Sequence, residues 1–420
     1  METERAMPFY GWFNVLFCAL IYIGVQTIFN NGFYTSATYC AEILSISKTL
    51  LYTAMTVHSI VSGCFAFLTG RIISRFGVKK TVFIGLSFMI IGSAIILIVP
   101  NIVTIYIGLC LMGIAIPLST NIPGQTVITR WFDKRKGMAI AIFGTIYSVA
   151  AMVVSPVVRS LVINHGWQAY YWALLIGAGV AFIIEALLVR EEPSKMGQVP
   201  DGKLIEAKDM SAAEQEKSAK KKARQTSAVE FTAKEAVRTK ELWIVTLIFC
   251  VAQFLNVAIK SQGQNAMSSY LDPVLTATII GAFSTISLVG RLGSGVISDF
   301  MSPKYVLVLG SVLSSGGMLL FMQGNTSSVF AWLTIALSAL GYGLLNIGVS
   351  TAYAGFFGRK DYSKIFSIGV GASTIVAAVA NTLTSVVQEK MGYHGVFVLC
   401  LALCIICVIL AIFCRAPQKD

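Results

Sequence analysis

The chain has 420 residues, of which 56% are hydrophobic and 12% are charged, and its mean hydropathy is +0.75. Because soluble domains carry about 25% charged residues, this composition excludes an ordinary soluble domain and predicts an integral membrane protein. The formal net charge of +12 then reflects the orientation of the chain in the membrane and not a nucleic-acid-binding surface.

Twelve segments are predicted to cross the membrane, since each approaches the roughly 20 apolar residues that a spanning helix needs. In chain order they are residues 10–33, 47–69, 80–99, 102–126, 138–163, 167–190, 242–265, 273–298, 303–322, 328–352, 364–388 and 392–414. The first is too long for a cleaved signal and lacks a small-residue cleavage site, so it is predicted to remain as an anchor. The predicted fold class is therefore an all-α membrane protein.

Lys and Arg are concentrated in the segments that would face one side of the membrane. If both termini are cytoplasmic, all but five of the 32 Lys and Arg residues lie on the cytoplasmic side. The five that fall elsewhere are Lys48, Arg159, Lys260, Arg291 and Lys390. This asymmetry follows the positive-inside rule and predicts a multi-pass protein of the plasma (inner) membrane, surrounded by its lipids, with both termini cytoplasmic.

Residues 191–240 interrupt the apolar pattern with eleven Lys or Arg and nine Asp or Glu. Such a composition predicts a cytoplasmic linker that is partly disordered or surface-helical. Its basic cluster from Lys220 to Arg224 is expected to contact anionic lipid. The linker divides the spans into a six-helix bundle at 1–190 and another at 241–420. Two such repeats with a site between them are typical of transporters.

Two glycine-containing motifs occupy equivalent places in the two halves. Gly70-Arg-Ile-Ile-Ser-Arg-Phe-Gly-Val-Lys-Lys80 follows the second span, and Gly295-Val-Ile-Ser-Asp-Phe-Met-Ser-Pro-Lys304 follows the eighth. These motifs resemble those of the major facilitator superfamily, and the resemblance covers essentially the whole chain. Arg130-Trp-Phe-Asp-Lys-Arg-Lys-Gly137, with Gly166-Trp167 opening the sixth span, is similar to the oxalate–formate antiporter and monocarboxylate transporter branch. The resemblance implies two six-helix bundles around a central cavity.

The same motifs imply residues that gate the cytoplasmic side. The first copy has Ser74 where the family usually has Asp, whereas the second copy keeps Asp299. The expected gating residues are Arg75, Asp299 and Lys364. Asp299 is expected to meet a basic residue or a helix end near Lys364, because helix ends carry partial charges.

Arg291 lies inside the eighth predicted span. A charge at membrane depth costs between about 3 and well over 10 kcal/mol unless water, a partner or a ligand compensates it. A guanidinium matches a carboxylate with two parallel N–H groups, and the resemblance implies that the central arginine of this span binds the substrate carboxylate. The alternative is a permanent ion pair, although the nearest acids, Glu185, Asp299 and Glu389, all lie near span ends.

The resemblance also narrows the range of expected substrates. Oxalate carriers of this branch use a lysine in the eleventh span, and that position here is Ser373. A single buried cation matches one carboxylate, so a monocarboxylate such as lactate, pyruvate or formate is predicted. Lys260 could supply a second charge, but it is expected to extend toward the outer surface, as is Arg159.

Four further polar residues fall where this branch lines its cavity: Asn121, Tyr147, Tyr342 and Asn346. Their amides and phenols could bond the second carboxylate oxygen or a 2-hydroxyl, or they could simply hold helices together.

Ion coupling is left open by the sequence. Proton-coupled relatives carry an Asp where this chain has Ser287. His58 is the only histidine within a predicted span, and it is either a group that titrates near neutral pH or a packed polar residue. Both proton symport and anion exchange with a counter-anion are therefore possible.

The sequence also allows other functions. An oxalate/formate-type exchanger is the first alternative. A multidrug exporter of the same superfamily would have a glycine-proline-rich fifth span and buried acids, which this sequence lacks, and a transporter-like receptor could bind without moving its ligand. No metal cluster, nucleophile–base pair or phosphate loop is found, so neither an enzyme nor a cofactor is predicted.

Cys404 and Cys407 are expected to be packing residues. The protein is expected to be a monomer.

Overall fold

The computed structural model describes residues 9–30, 32–33, 36, 48–202, 230–269, 271–322, 327–414 and 416–417. Within these ranges, twelve helices are long and apolar enough to cross a membrane. They are α1 Gly11–Asn30, α2 Lys48–Phe76, α3 Val78–Ile98, α4 Ile102–Trp131, α5 Lys136–His165, α6 Gln168–Leu187, α7 Lys240–Ser268, α8 Pro273–Phe300, α9 Pro303–Met322, α10 Ser328–Phe357, and α11 and α12 within Tyr362–Phe413. The predicted fold class, an all-α membrane protein with six spans in each half, is confirmed.

Gly392 separates the last two spans. The helix Tyr362–Phe413 is continuous except at this residue, whose φ of 68° is left-handed. Glycine adopts that conformation without the steric cost that a Cβ imposes. We label the part before Gly392 α11 and the part after it α12. The predicted boundary between residues 388 and 392 therefore lies at the observed break.

The second span is longer than predicted. It was expected to end at residue 69, but α2 continues to Phe76 and ends before Gly77, whose φ is 86°. The first glycine motif, from Gly70 to Arg75, therefore lies on a helix. Hydropathy falls where α2 leaves the apolar zone, so a criterion based on hydropathy ends the span too early, whereas the backbone continues its hydrogen bonding.

The two halves meet along two pairs of helices, α2 with α11 and α5 with α8. Each pair contains one motif glycine. A Cβ on Gly70 would lie 2.4 Å from the Lys364 Cα, and a Cβ on Gly295 would lie 2.4 Å from the Ala141 Cβ. The motif glycines thus allow the two halves to approach each other at backbone distance.

We call the side of the membrane where α6 ends and α7 begins the linker side, because residues 191–240 join these helices there. The ends of α2, α4, α8 and α10 lie on the same side, since successive spans run in opposite directions. Residues 203–229, including the basic cluster predicted at Lys220–Arg224, lie outside the described residues.

Helices α1 and α7, which occupy equivalent places in the two halves, each contain a π-helical turn. These turns are Ile23–Thr27 and Ile259–Gly263. A π-helical turn changes the direction of the side chains that follow it and is frequent at functional sites. Tyr22 directly precedes the first turn, and Lys260 lies within the second.

Candidate functional site

Arg291 of α8 reaches across the interface between the halves. Its side chain is buried, with 8% of the residue exposed. Its Nη1 donates hydrogen bonds to the Gly144 carbonyl oxygen at 3.2 Å, to the Tyr147 hydroxyl at 3.2 Å and to the Ser148 hydroxyl. All three acceptors are on α5. The guanidinium therefore joins the eighth span of the second half to the fifth span of the first.

The partners of Arg291 are all neutral. Among the residues that the structure describes, no carboxylate forms an ion pair with it. Its Nε is buried and has no hydrogen-bond partner. A buried charged donor without a partner is costly, so this edge of the guanidinium is suited to accept an anion. The alternative of a permanent acidic partner finds no support in the described part of the chain.

Aromatic rings surround the guanidinium. Its Cζ lies 5.5 Å from the Tyr147 ring and 6.0 Å from the Tyr342 ring. Tyr147 in turn stacks on Tyr22 of α1, with ring centroids 4.0 Å apart. Such rings attract a cation through their quadrupoles and exclude water from one side of it.

A short hydrogen-bond chain extends from Tyr342. Its hydroxyl donates to Gln253 Oε1 of α7 at 3.1 Å and accepts a bond from Asn346 Nδ2 at 3.4 Å. The structure thus brings together four predicted site residues: Arg291, Tyr147, Tyr342 and Asn346. Three further residues of this cluster were missed by sequence reasoning: Tyr22, Ser148 and Gln253. Gln253 could have been noticed as an amide within an apolar run.

Three predicted residues have other partners. The side chain of Asn121 accepts a bond from Gln125 Nε2 at 2.9 Å, and the Ser373 hydroxyl donates to the Val370 carbonyl oxygen at 3.0 Å. His58 is buried, with Nδ1 2.9 Å from the Leu109 carbonyl oxygen, and it stacks on Phe29. None of these bonds involves Arg291. His58 has the contacts of a packed polar residue within the first half.

The structure corrects the predicted partner of Asp299. Its carboxylate accepts hydrogen bonds from the backbone N–H groups of Gly137 at 2.8 Å and Met138 at 3.0 Å. These groups belong to the first turn of α5, where unpaired N–H groups and the helix dipole favour a negative charge. Lys364 instead bonds Asp361 at 3.1 Å. A helix end does meet Asp299, but it is that of α5.

Arg75 also differs from its predicted gating position. It is exposed, and its guanidinium lies 5.4 Å from the ring of the adjacent Phe76.

Other groups join the two halves on the linker side. Arg359 forms an ion pair with Asp133, and the Tyr362 hydroxyl donates to Gln125 Oε1 at 2.9 Å. These contacts were not predicted, because the partners in each pair are more than two hundred residues apart in the sequence.

Replacing Asp299 with asparagine is expected to weaken the linker-side contact by about 1 kcal/mol, because an amide loses the charge that faces the α5 dipole. Distances between spin labels on the linker-side ends of α5 and α8 should then show a larger open population. Ser74→Ala is the matched control. Ser74 occupies the equivalent motif position, but its hydroxyl bonds the Arg71 carbonyl oxygen of its own helix. Equal shifts in both variants would contradict the assignment.

Comparisons with known proteins agree with this architecture. A profile of the Major Facilitator Superfamily matches residues 15–299 and 263–420. The chain is 28% identical over 189 residues to the uncharacterized MFS-type transporter YcxA of Bacillus subtilis strain 168, a match that spans 44% of this chain and 45% of that protein. It is 22% identical over 325 residues to the uncharacterized MFS-type transporter YhjX of Escherichia coli K12, spanning 73% and 72% of the two chains.

Two solved structures share the fold. The human organic anion transporter MFSD10 (TETRAN) superposes with a TM-score of 0.68 and 11% identity, covering 98% of this chain and all of that one. The transporter FucP in the outward conformation superposes with a TM-score of 0.69 and 11% identity, covering 97% and 99%. With the profile matched along nearly the whole chain, this integral multi-pass membrane protein belongs to the major facilitator superfamily of transporters.

Proposed function

We propose that this transporter moves a small organic monocarboxylate, such as lactate, pyruvate or formate, and that Arg291 holds the carboxylate. The observation that carries the proposal is a buried guanidinium between the two halves whose partners are all neutral and whose Nε has none. Charge-assisted bonds to a carboxylate would compensate this cation, and they are stronger away from water. The motif from Arg130 to Gly137, which resembles the oxalate–formate and monocarboxylate branch, supports the same substrate class.

Alternating access would follow from the position of Arg291. Its Nη1 already bonds α5 across the interface, so an anion at the guanidinium neutralises a charge that lies between the halves. In this proposal residues 1–190 and 241–420 rock as two bodies joined by the linker 191–240, and Asp299 holds the linker side closed when it meets α5. The protein would lie in the plasma membrane with both termini cytoplasmic. Either a proton or a counter-anion could be coupled.

A single central cation sets the expected preference. In this proposal Arg291 alone binds the substrate carboxylate, and the position of the dicarboxylate lysine in related carriers is Ser373 here. Monocarboxylates are therefore expected to bind more tightly than oxalate, whose second charge would remain uncompensated.

Thermal-shift measurements on the purified protein test this ranking. A ligand at 100 times its dissociation constant stabilises a protein by about 2.7 kcal/mol. Lactate, pyruvate or formate should therefore raise the melting temperature at concentrations where oxalate does not. If oxalate stabilises the protein most, the argument from a single cation is wrong. If none of these acids stabilises it, the substrate class is wrong.

A further inference from the structure

Lys260 of α7 is a further cation within a membrane-spanning helix. It was expected to extend toward the outer surface, and the structure places its Nζ 5.4 Å from the centre of the Phe283 ring. The Phe283 ring lies 5.8 Å from the Tyr342 ring, and Tyr342 lies beside Arg291. Two aromatic rings therefore connect the surroundings of the two cations.

The face of α7 that carries Lys260 points toward this cluster. Gln253 and Asn256 are three residues apart on one side of the helix, and Lys260 follows in the π-helical turn Ile259–Gly263. Gln253 accepts the bond from the Tyr342 hydroxyl. Exposure increases along this face, because Gln253 and Asn256 are half-buried whereas Lys260 is exposed. The face thus leads from the buried cluster to an accessible position.

The two cations lie at different depths. Lys260 is in the last third of α7, which runs away from the linker side, and Arg291 is in the last third of α8, which returns to it. Lys260 is exposed and Arg291 is buried. A small anion that touches Arg291 would therefore leave Lys260 for a separate contact nearer the opposite side of the membrane.

Lys260 has no anionic partner within the described residues. A lysine in a membrane span costs about 3 kcal/mol, whereas a cation–π contact at an exposed site recovers about 0.5–1 kcal/mol. The remainder must come from water or from an anion.

We propose that Lys260, with the Phe283 ring beneath it, forms an outer subsite that binds the carboxylate of an arriving organic anion before the anion moves to Arg291. This proposal rests on the proposed function, since it assigns a first contact to the same substrate. The subsite raises the local concentration of anions through its charge, whereas Arg291 determines the equilibrium affinity of the central site.

Uptake of lactate by proteoliposomes tests the order of the two sites. Lys260→Gln is expected to lower kcat/KM by about tenfold, as loss of electrostatic steering does, with kcat unchanged. Higher ionic strength should lower kcat/KM of the unmodified protein and have less effect on Lys260→Gln. Lys260→Arg, which keeps the charge, should behave like the unmodified protein. Lys260→Met, which keeps the length of the side chain without its charge, gives the same comparison if the glutamine variant does not fold.

Binding measured on the same preparations separates this proposal from the proposed function. The thermal shift that lactate produces should be nearly unchanged in Lys260→Gln and absent in Arg291→Gln. An unchanged kcat/KM in Lys260→Gln overturns the outer subsite. If Lys260→Gln loses the thermal shift as completely as Arg291→Gln does, the outer subsite is also overturned, because both cations would then bind one anion together. Unmodified protein that neither binds nor moves lactate overturns the proposed function, and the outer subsite with it.

Discussion

Arg291→Gln is expected to lose carboxylate binding while the protein stays folded. Removing a charge-assisted pair from a buried site should weaken binding by roughly 2–5 kcal/mol. The fold should survive, because the acceptors on α5 are neutral and a glutamine amide can still donate to one of them. Arg291→Lys keeps the charge without the planar fork of donors, so weak binding and transport should remain. Melting temperature and lactate affinity, measured on the same preparations, give both quantities.

The reading of Arg291 as a structural residue predicts a different pair of results. If an acidic side chain depended on this guanidinium, Arg291→Gln would leave that acid buried and unpaired, at a cost of about 3–5 kcal/mol. The variant would then melt at a much lower temperature without any ligand. A markedly destabilised Arg291→Gln protein, or one that still binds lactate normally, would exclude Arg291 as the substrate anchor.

Gly70→Ala is expected to separate the two halves on the linker side. The added methyl group would lie 2.4 Å from the Ser363 carbonyl oxygen and from the Lys364 Cα. Both are backbone atoms, which cannot rotate away as a side chain can. Overpacking of this kind costs about 1–3 kcal/mol, and moving α2 away from α11 is the simplest relief. Transport should fall at least tenfold, and label distances between the linker-side ends of α2 and α11 should increase.

Gly281→Ala is the matched control for this substitution. It also adds one methyl group to a glycine in a span, but a Cβ on Gly281 would meet nothing within 4 Å. Its transport rate and its label distances should equal those of the unmodified protein. If Gly70→Ala transports as well as Gly281→Ala, close approach of α2 and α11 is not needed for the transport cycle.

Much of the fold could be predicted from hydropathy and charge, because a bilayer imposes the length and the apolar character of each span. The exceptions lie where a helix leaves the apolar zone. Residues 70–76 continue α2 although they include Arg71, Ser74 and Arg75, and Gly70 at their start packs directly against the α11 backbone. Gly392, by contrast, lies at a boundary that the sequence placed within a few residues.

The candidate site was predictable at its centre and less so at its edges. Arg291 is evident from the cost of a charge in an apolar span alone. Ser148 and Gln253 are not, because a single hydroxyl or amide does not reveal which neighbouring helix it will face. The predicted partner of Asp299 was on the wrong helix. The sequence does not show which helix begins beside Asp299, and in the structure this helix is α5 and not α11. The surroundings of Lys260 could not be predicted, because they depend on the direction in which α7 presents this side chain.

Counterflow of lactate in proteoliposomes tests the central claim most directly. Vesicles loaded with unlabelled lactate and containing the purified transporter should accumulate labelled lactate transiently, and excess external pyruvate should suppress this accumulation more than excess oxalate does. Vesicles containing Arg291→Gln should not accumulate the label. Two results would contradict transport of a monocarboxylate on Arg291. One is counterflow that is equally strong in the unmodified protein and in Arg291→Gln. The other is an unmodified protein that binds lactate tightly but shows no counterflow.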